Sequence, residues 1–448
     1  MTLQRFVLSA RDGDRQLADQ PLPPAAGDAH RGLPRLVVDT SRRFQTHLGF
    51  GGAFTEAAAS VWQQLPAAER DRFLRDCFDP EHGHGYTLGR VHINSCDFAL
   101  GHYAHAERDG DFALESFSIA RDRQALLPFI RAAQRAAGRP LQLLASPWSP
   151  PAWMKTNGRM AEGGRLRPEC RAAWAQCYVR FIQAYAAEGV PIWGVSVQNE
   201  PMAHQRWDSC LYSAEEERDF VRDHLGPALR DAGLGDVKIV IWDHNRDLML
   251  ERARVVYADP DAARFVWGTG FHWYGPEDFD HVQQVHDAWP DKHLLFTEGC
   301  QEGGPHTGSW EVGERYARNV IADLNRWTVG WIDWNLLLDE RGGPNHVGNF
   351  CSAPILADTA RGTLMHQSAY AVLGHFARFI RPGAQRVLSV VADALDTTAF
   401  VNPDGQVAVV AANRGDEAQA FVLGIDGCGH AVELPPRSIA TFVAAGAA

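Results

Sequence analysis

Between Phe44 and Ile380 the chain repeats one pattern eight times: a short apolar run, a polar loop, then a stretch of helical period. The runs are Thr46–Phe54, Thr87–Asn94, Leu141–Ser146, Ile192–Gln198, Val237–Trp242, Phe265–Trp273, His293–Thr297 and Gly330–Leu336. Strands that are apolar on both faces belong to parallel sheets covered by helices, and strict alternation supplies those helices. Eight such units suggest closure into a (β/α)8 TIM barrel. The helical stretches carry their own stops. Arg121–Ala137 is followed by Gly138 and Pro168–Glu188 by Gly189, glycines suited to the turn that ends a helix. Ala214–Ala232 and Gly313–Trp327 read the same way, and His366–Ile380 reads as the closing helix. An open doubly wound sheet is the rival, and a nucleotide fingerprint would favour it. Gly49-Phe-Gly51-Gly52-Ala-Phe54 fails that fingerprint at Phe54, and the acidic Glu56 just beyond would repel phosphate.

After Ile380 the period changes to short β-type runs, Arg386–Ala392, Asp396–Val401, Val407–Asn413, Ala418–Ile425 and Ser438–Val443. Turn residues such as Asn402-Pro-Asp404-Gly405 separate them, which predicts a small antiparallel domain. Phe6–Ala10 and Leu36–Val38 are expected to add strands to it, with Pro21–Gly27 as loop. The expected organisation is therefore residues 1–43 and 381–448 forming a side β-sandwich, and residues 44–380 forming the barrel.

The formal net charge of −12 argues against nucleic acid as a partner, because such a surface repels a phosphate backbone. No apolar run approaches the roughly 18 residues that span a bilayer, so stable membrane insertion is not expected. The start shows no basic leader followed by an apolar stretch. Eight cysteines without a CxxC pair read as free buried thiols, and no N-x-S/T sequon occurs. Together these predict a cytoplasmic location.

A barrel of this kind carries its site at the C-terminal ends of its strands. Here those ends are Asn94-Ser-Cys-Asp97, Ser146-Pro-Trp148, Gln198-Asn199-Glu200, Asp243-His244-Asn245, His272-Trp273-Tyr274, Thr297-Glu298 and Asp333-Trp334-Asn335. Acids and amides bind sugar hydroxyls, and indole faces stack on the C–H face of a pyranose. Phosphate chemistry would want cations, and only Lys155 and Arg159 lie near. Glu200 and Glu298, on strands four and seven, can face each other across the mouth as the carboxylate pair of glycoside hydrolysis. Their separation, which decides between retention and inversion, is not legible in sequence.

These motifs, in order, resemble glycoside hydrolase family 30, especially its glucosylceramidase branch. They run from Gly49-Phe-Gly-Gly-Ala-Phe-Thr55 through Ser95-Cys-Asp-Phe98 and Ala145-Ser-Pro-Trp-Ser-Pro-Pro-Ala-Trp-Met-Lys-Thr-Asn157. Asn199-Glu-Pro201, His272-Trp-Tyr274, Glu298-Gly-Cys300, Asp333-Trp-Asn335, Gly342-Gly-Pro-Asn345, Leu373-Gly-His-Phe376 and Gln385-Arg-Val387 complete the series. The resemblance implies a retaining β-glycosidase that needs no cofactor or metal and takes a β-linked glycoside or oligosaccharide. It implies Glu200 as acid/base and Glu298 as nucleophile. It implies substrate contacts from Asp97, Trp148, Asn199, Tyr274, Trp334 and Asn349, with Arg90 paired to the nucleophile. Exo action on small β-glucosides is expected. The alternatives are an endo-β-1,6-glucanase, a β-xylosidase or a β-fucosidase, and outside enzymes a carbohydrate-binding protein, which would usually have lost one of the two glutamates. One departure concerns the rim: the branch's Asn-Trp-Val-Arg-Asn is here Asn345-His346-Val-Gly348-Asn349, and the loop 301–309 reads as short. A ceramide-like aglycone is therefore not expected to be favoured.

Other motifs have plainer readings. His102/His105 and His82/His84 have metal-like spacing, but they fall in loops and the resembled family needs no metal. Cys300 reads as a packed small residue rather than a thiolate nucleophile. Ser196 in Gly194-Val-Ser-Val-Gln198 fails the nucleophile-elbow pattern at its last position. Glu215–Glu217 reads as a solvated helix start.

Overall fold

The computed structural model describes residues 1–13, 16–391 and 395–446. Eight parallel strands close into a barrel: Gly49–Phe54, Leu88–Ile93, Gln142–Pro147, Ile192–Ser196, Lys238–Asn245, Val266–His272, His293–Glu298 and Thr328–Asn335. Each of the eight expected runs supplies one strand. The first begins later than expected, because Thr46 ends the preceding strand, Arg35–Thr46, and the chain turns at His47 and Leu48 before entering the barrel. Leu88, Leu144, Val240, Leu295 and Ile332 fill the barrel interior. The glycine-rich first strand permits its tight pairing. A Cβ on Gly51 would lie 1.8 Å from the Leu88 carbonyl oxygen, so only glycine lets these two strands approach.

The helices follow with shifted starts. Leu126–Ala137 begins five residues after the expected Arg121, and Gly138 closes it in the left-handed conformation at φ +66°. Arg171–Ala187 follows a short 3-10 turn at Pro168–Cys170. The stretch 214–231 is helical with a π-helical segment at Val221–Leu225. The last two helices are Trp310–Leu324 and Ser368–Ala377. A small sheet of Leu338–Asp339, Ile355–Asp358 and Thr363–His366, not expected from sequence, folds over the barrel mouth after strand eight.

Both ends of the chain build one nine-stranded sheet. Leu3–Ala10 pairs with Ser438–Ala444, and Arg35–Thr46 lies between Gln385–Val390 and Gln419–Ile425. Leu36, Val38, Phe421 and Val432 from one end of this sheet share a core with Leu3, Val409 and Phe442 from the other. The sheet is thus folded on itself as a sandwich. Two corrections apply. The boundary expected after residue 43 falls inside the strand Arg35–Thr46, which stays with the sandwich throughout, and the strand Cys428–Leu434 was not expected. Ala392, the expected end of the strand from Arg386, lies outside the described residues, as do Ala447 and Ala448. Sandwich and barrel are fastened by His375 of the last helix, whose two ring nitrogens lie 3.0 Å from Thr441 Oγ1 and 2.8 Å from Ser9 Oγ. No helix is long and apolar enough to cross a membrane, among the described residues.

Candidate active site

The C-terminal ends of the barrel strands enclose a cavity of about 320 Å³, at the small end of ligand sites. Asp97, Trp148, Asn199, Glu200, Tyr274, Glu298, Trp334 and Asn349 all line it. Of the residues expected from sequence, Arg90 alone lies beneath the wall, fully buried, where it organises the others. Its guanidinium donates to Glu298 Oε2, to Asn199 Oδ1 at 2.8 Å, to Asp243 Oδ2 at 2.7 Å and, through Nε, to Ser146 Oγ at 3.0 Å. With Oδ1 taken by Arg90, Asn199 keeps its amide N–H groups for the cavity. Tyr274 donates its hydroxyl to Glu298 Oε1 at 3.0 Å. One carboxylate oxygen of Glu200 lies within 4.8 Å of one of Glu298.

Asp243 and His272 end strands five and six, and sequence reasoning noted them there without giving them a role. Asp243 is fully buried and accepts four hydrogen bonds: from Arg90, from Ser196 at 2.5 Å, from Thr297 at 2.6 Å and from His272 Nε2 at 3.0 Å. Burial alone would raise its carboxyl, but Arg90 and these donors hold it well below the usual range. Burial works in the other direction on His272. The charge of Glu298 and the hydrogen bonds to Asp243 and Glu200 outweigh it and lift His272 to about 9. His272 is therefore an imidazolium at neutral pH, and its Nδ1 donates to Glu200 Oε1 at 3.2 Å. The signal available in sequence was the strand-end position of both residues; their mutual contact was not.

Glu200 and Glu298 behave as one coupled acid pair. Burial pushes both up. At Glu298 it prevails over His272 and Arg90, helped by the negative charges of Glu200 and Asp243. At Glu200 the imidazoles of His244 and His272 prevail and the carboxyl falls. The His244 contribution requires an imidazolium, and burial holds His244 itself below its ordinary value. With that contribution weakened, the hydrogen bond from His272 and the charge of Arg90 still draw the Glu200 carboxyl down.

Several strand-end residues sit in the left-handed region that side chains avoid: Asn94 at φ +63°, Glu200 at +47°, Trp242 at +70° and Asp243 at +54°. Such conformations cost on the order of 1–3 kcal/mol each and persist where surroundings enforce them. One enforcing contact corrects the reading of Glu215–Glu217. Glu217 is buried, not solvated; it accepts the Trp242 backbone N–H at 2.8 Å and a bond from Arg252 at 3.1 Å.

The remaining wall combines stacked indoles with a buried carboxylate. Trp148 and Trp334 stack at 5.2 Å between centroids, with the Arg90 guanidinium 4.7 Å from the Trp148 ring. Asp97 Oδ2 accepts from Asn345 at 3.2 Å and Asn349 at 3.0 Å, so Asn349 acts partly through Asp97. Burial lifts the Asp97 carboxyl to about 7 against these bonds. At the mouth, Trp207 and Phe350 line the cavity, beside the segment where His346 and Gly348 replace the motif's Trp and Arg. Cys300 also lines it, and burial raises its thiol. In each histidine pair the two rings find different partners: His82 meets Asp79 and His84 meets Tyr86, while His102 meets Asp208 and His105 meets Asp122.

A barrel that presents two opposed carboxylates, free amide donors and stacked indoles in one cavity at its mouth defines a glycoside hydrolase. The chain belongs to glycosyl hydrolase family 30: residues 47–380 match its TIM-barrel domain and residues 383–442 its β-sandwich domain. It is 37% identical to the lysosomal acid glucosylceramidase of Mus musculus over 430 residues, covering 91% of this chain and 83% of that one. It is similar to the crystal structure of SrfJ from Salmonella typhimurium at a TM-score of 0.94 and 37% identity, covering 99% of both chains. The endo-β1,6-glucanase BT3312 follows at a TM-score of 0.89 and 26% identity, again over 99% of both chains.

Proposed function

We propose that the protein is a retaining, exo-acting β-glycosidase of small β-glucosides, with Glu298 as nucleophile and Glu200 as acid/base. The observation that carries this is the pair of carboxylate oxygens within 4.8 Å of each other. Retaining enzymes hold their carboxyl groups about 5–5.5 Å apart, whereas inverting ones need about 6.5–9.5 Å to admit a water. Glu298, held by Arg90 and Tyr274, attacks the anomeric carbon while Glu200 gives its proton to the departing oxygen. Glu200 then removes a proton from water, which releases the sugar from Glu298. His272 and Asp243 serve this cycle by position: the imidazolium orients Glu200 and favours the carboxylate left once its proton has gone. Asn199 offers its N–H to the sugar hydroxyl next to the reacting carbon, a bond that strengthens as positive charge develops there. Asp97 and Trp148 receive the hydroxyls farther round the ring, and Trp334 lines its face.

The small volume of the cavity supports action on chain ends. The likeness to an endo-β1,6-glucanase favours a second reading, internal cleavage of a β-1,6-glucan. A screen of aryl β-glycosides, beside product analysis on a β-1,6-glucan, separates the two. Monosaccharide release alone supports exo action, and mixed oligosaccharides from the first minutes would reject it.

Two further outcomes are expected. The chemistry runs on carboxylates, so kcat on an aryl β-glucoside should be unchanged in excess chelator. Full loss with chelator and recovery with a divalent ion would reject the mechanism. Glucosylceramide should be a poorer substrate than a matched aryl glycoside, because His346 and Gly348 replace the Trp and Arg of the glucosylceramidase rim. A higher kcat/KM for the lipid would overturn that reading, and the exposed Phe350 at the mouth is the contact to remove first in that case. A cytoplasmic site of action also belongs to this proposal. All eight thiols are free and seven are buried, which suits a reducing compartment, although the mouse relative is named as lysosomal.

A further inference from the structure

His102, Asp208 and His346 come from the loops after barrel strands two, four and eight, and they converge outside the sugar cavity. One side-chain ligand atom of each lies within 4.8 Å of the other two. His102 Nδ1 is 3.1 Å from Asp208 Oδ1, and His346 Nε2 is 3.8 Å from Asp208 Oδ2. Asp208 is 1% exposed. Its Oδ2 and the Nε2 of His346 are both buried and have no hydrogen-bond partner among the described residues.

The tautomer of His346 makes this juxtaposition informative. Its Nδ1 lies 3.1 Å from the Ala99 carbonyl oxygen, which can only accept, so Nδ1 carries the proton. In the neutral ring Nε2 then presents a lone pair toward a carboxylate oxygen that also presents lone pairs. Two buried acceptors facing each other need a positive species between them. The surroundings match those of ligands to a metal. A coordinating imidazole commonly donates its other N–H to a backbone carbonyl, as His346 does, and a coordinating carboxylate is itself hydrogen-bonded, as Asp208 is by Ser95 Oγ at 2.8 Å. Bond lengths near 2.0–2.2 Å around a tetrahedral ion put ligand atoms about 3.4 Å apart. The Asp208 carboxylate stands 3.1 Å from His102 Nδ1 through Oδ1 and 3.8 Å from His346 Nε2 through Oδ2, so small side-chain rotations bring all three donors to one ion.

We propose that His102, Asp208 and His346 form a site for a divalent transition ion, Zn²⁺ by the chemistry of its donors. Two imidazoles and one carboxylate suit zinc, whereas calcium and magnesium require oxygen cages. The His102 side chain is 46% exposed, which gives the ion a way in and leaves a fourth position for water. The ion is not a participant in hydrolysis. It ties together three loops that frame the sugar cavity. The backbone N–H of His346 donates to the Asp97 carbonyl at 3.3 Å, and the neighbouring Asn345 and Asn349 hold the Asp97 side chain. His102 thus gains a role through Asp208 and His346 that its spacing from His105 did not suggest.

The test reads binding directly, so it does not depend on the glycosidase assignment. Metal-stripped full-length protein is titrated with Zn²⁺ alone against a chromophoric chelator, and its melting temperature is followed with and without Zn²⁺. One equivalent should bind and raise Tm. His102→Ala and His346→Gln should each weaken binding more than about 100-fold, beyond the loss from an outer-shell partner, and abolish the Tm rise. His102 is half-exposed, so its alanine variant should melt like the wild type without Zn²⁺ and decides the matter even if the His346 variant fails to fold. No uptake by folded wild-type protein would overturn the site, leaving a proton shared between Asp208 and an imidazolium. Undiminished uptake by the His102 variant would overturn it equally, because the ion would then be bound elsewhere.

Discussion

Replacing Glu298 by alanine is expected to lower kcat on every β-glycoside on the order of 10⁶-fold, the scale seen when a covalent enzyme loses its nucleophile. Arg90 and Tyr274 both point donors at this one carboxylate, and no other described carboxylate receives that pair. Glu200→Ala should fail differently. A proton donor contributes roughly 10²–10⁴-fold, and less where the leaving group departs readily as an anion. With a good aryl leaving group the glycosyl–enzyme should still form on Glu298 and then accumulate, because nothing activates water. Azide needs no base, so it should rescue Glu200→Ala and yield the β-glycosyl azide. In Glu298→Ala the room left by the nucleophile admits azide from the opposite face, which gives the α-glycosyl azide. NMR of the isolated azides reads the anomer directly. The reverse pair of anomers would exchange the two roles, and an α-configured first product from the wild type would reject retention.

The parts of this molecule that were legible in sequence are those whose burial is set locally. The barrel strands are buried on both faces and mostly apolar, with Arg90 and His92 of strand two as polar exceptions, and their ends turn abruptly to Asp, Asn, Glu and Trp where the barrel opens. That change of character located Glu200, Glu298, Asp97, Trp148 and Trp334 without coordinates. What could not be read depends on contacts between distant segments. Arg35–Thr46 hides as a strand because Ser41, Arg42 and Arg43 are exposed along its length. Cys428–Leu434 hides because Cys428 and Glu433 are exposed, Gly429 and Ala431 are small, and only Val432 and Leu434 are buried. Glu217 sits in an acidic run that reads as surface, and only the fold brings the Trp242 backbone to it. The triad of His102, Asp208 and His346 spans 245 positions of chain, so no spacing rule could reveal it. His272 is the sharpest case: its strand-end position was visible, but its charge comes from Asp243, Glu200 and Glu298, each on a different strand or loop.

Arg90 carries the second large expectation. It is buried under the cavity floor and joins Glu298, Asn199, Asp243 and Ser146 in one planar fork. Arg90→Leu removes the cation and leaves the buried carboxylates of Asp243 and Glu298 without their main partner, a loss of about 3–5 kcal/mol for a broken buried pair. Tm should fall by several degrees. Arg90→Lys restores a charge but not the geometry, since an ammonium group cannot serve acceptors on four sides in the fixed plane of a guanidinium. Its stability should recover in part while its activity does not. The pH profile distinguishes this from a merely structural role. The Arg90 charge lowers the Glu298 carboxyl, so its removal raises that carboxyl further. On the proposed mechanism Glu298 must be ionised to attack, and activity is lost as pH falls through its titration. The acid limb of kcat/KM should therefore move to higher pH in Arg90→Leu, and by less in Arg90→Lys, when both are measured on an activated aryl glucoside well below the melting temperature. A variant that melts early yet keeps the wild-type acid limb would show that Arg90 supports the barrel and does not set the charge of Glu298.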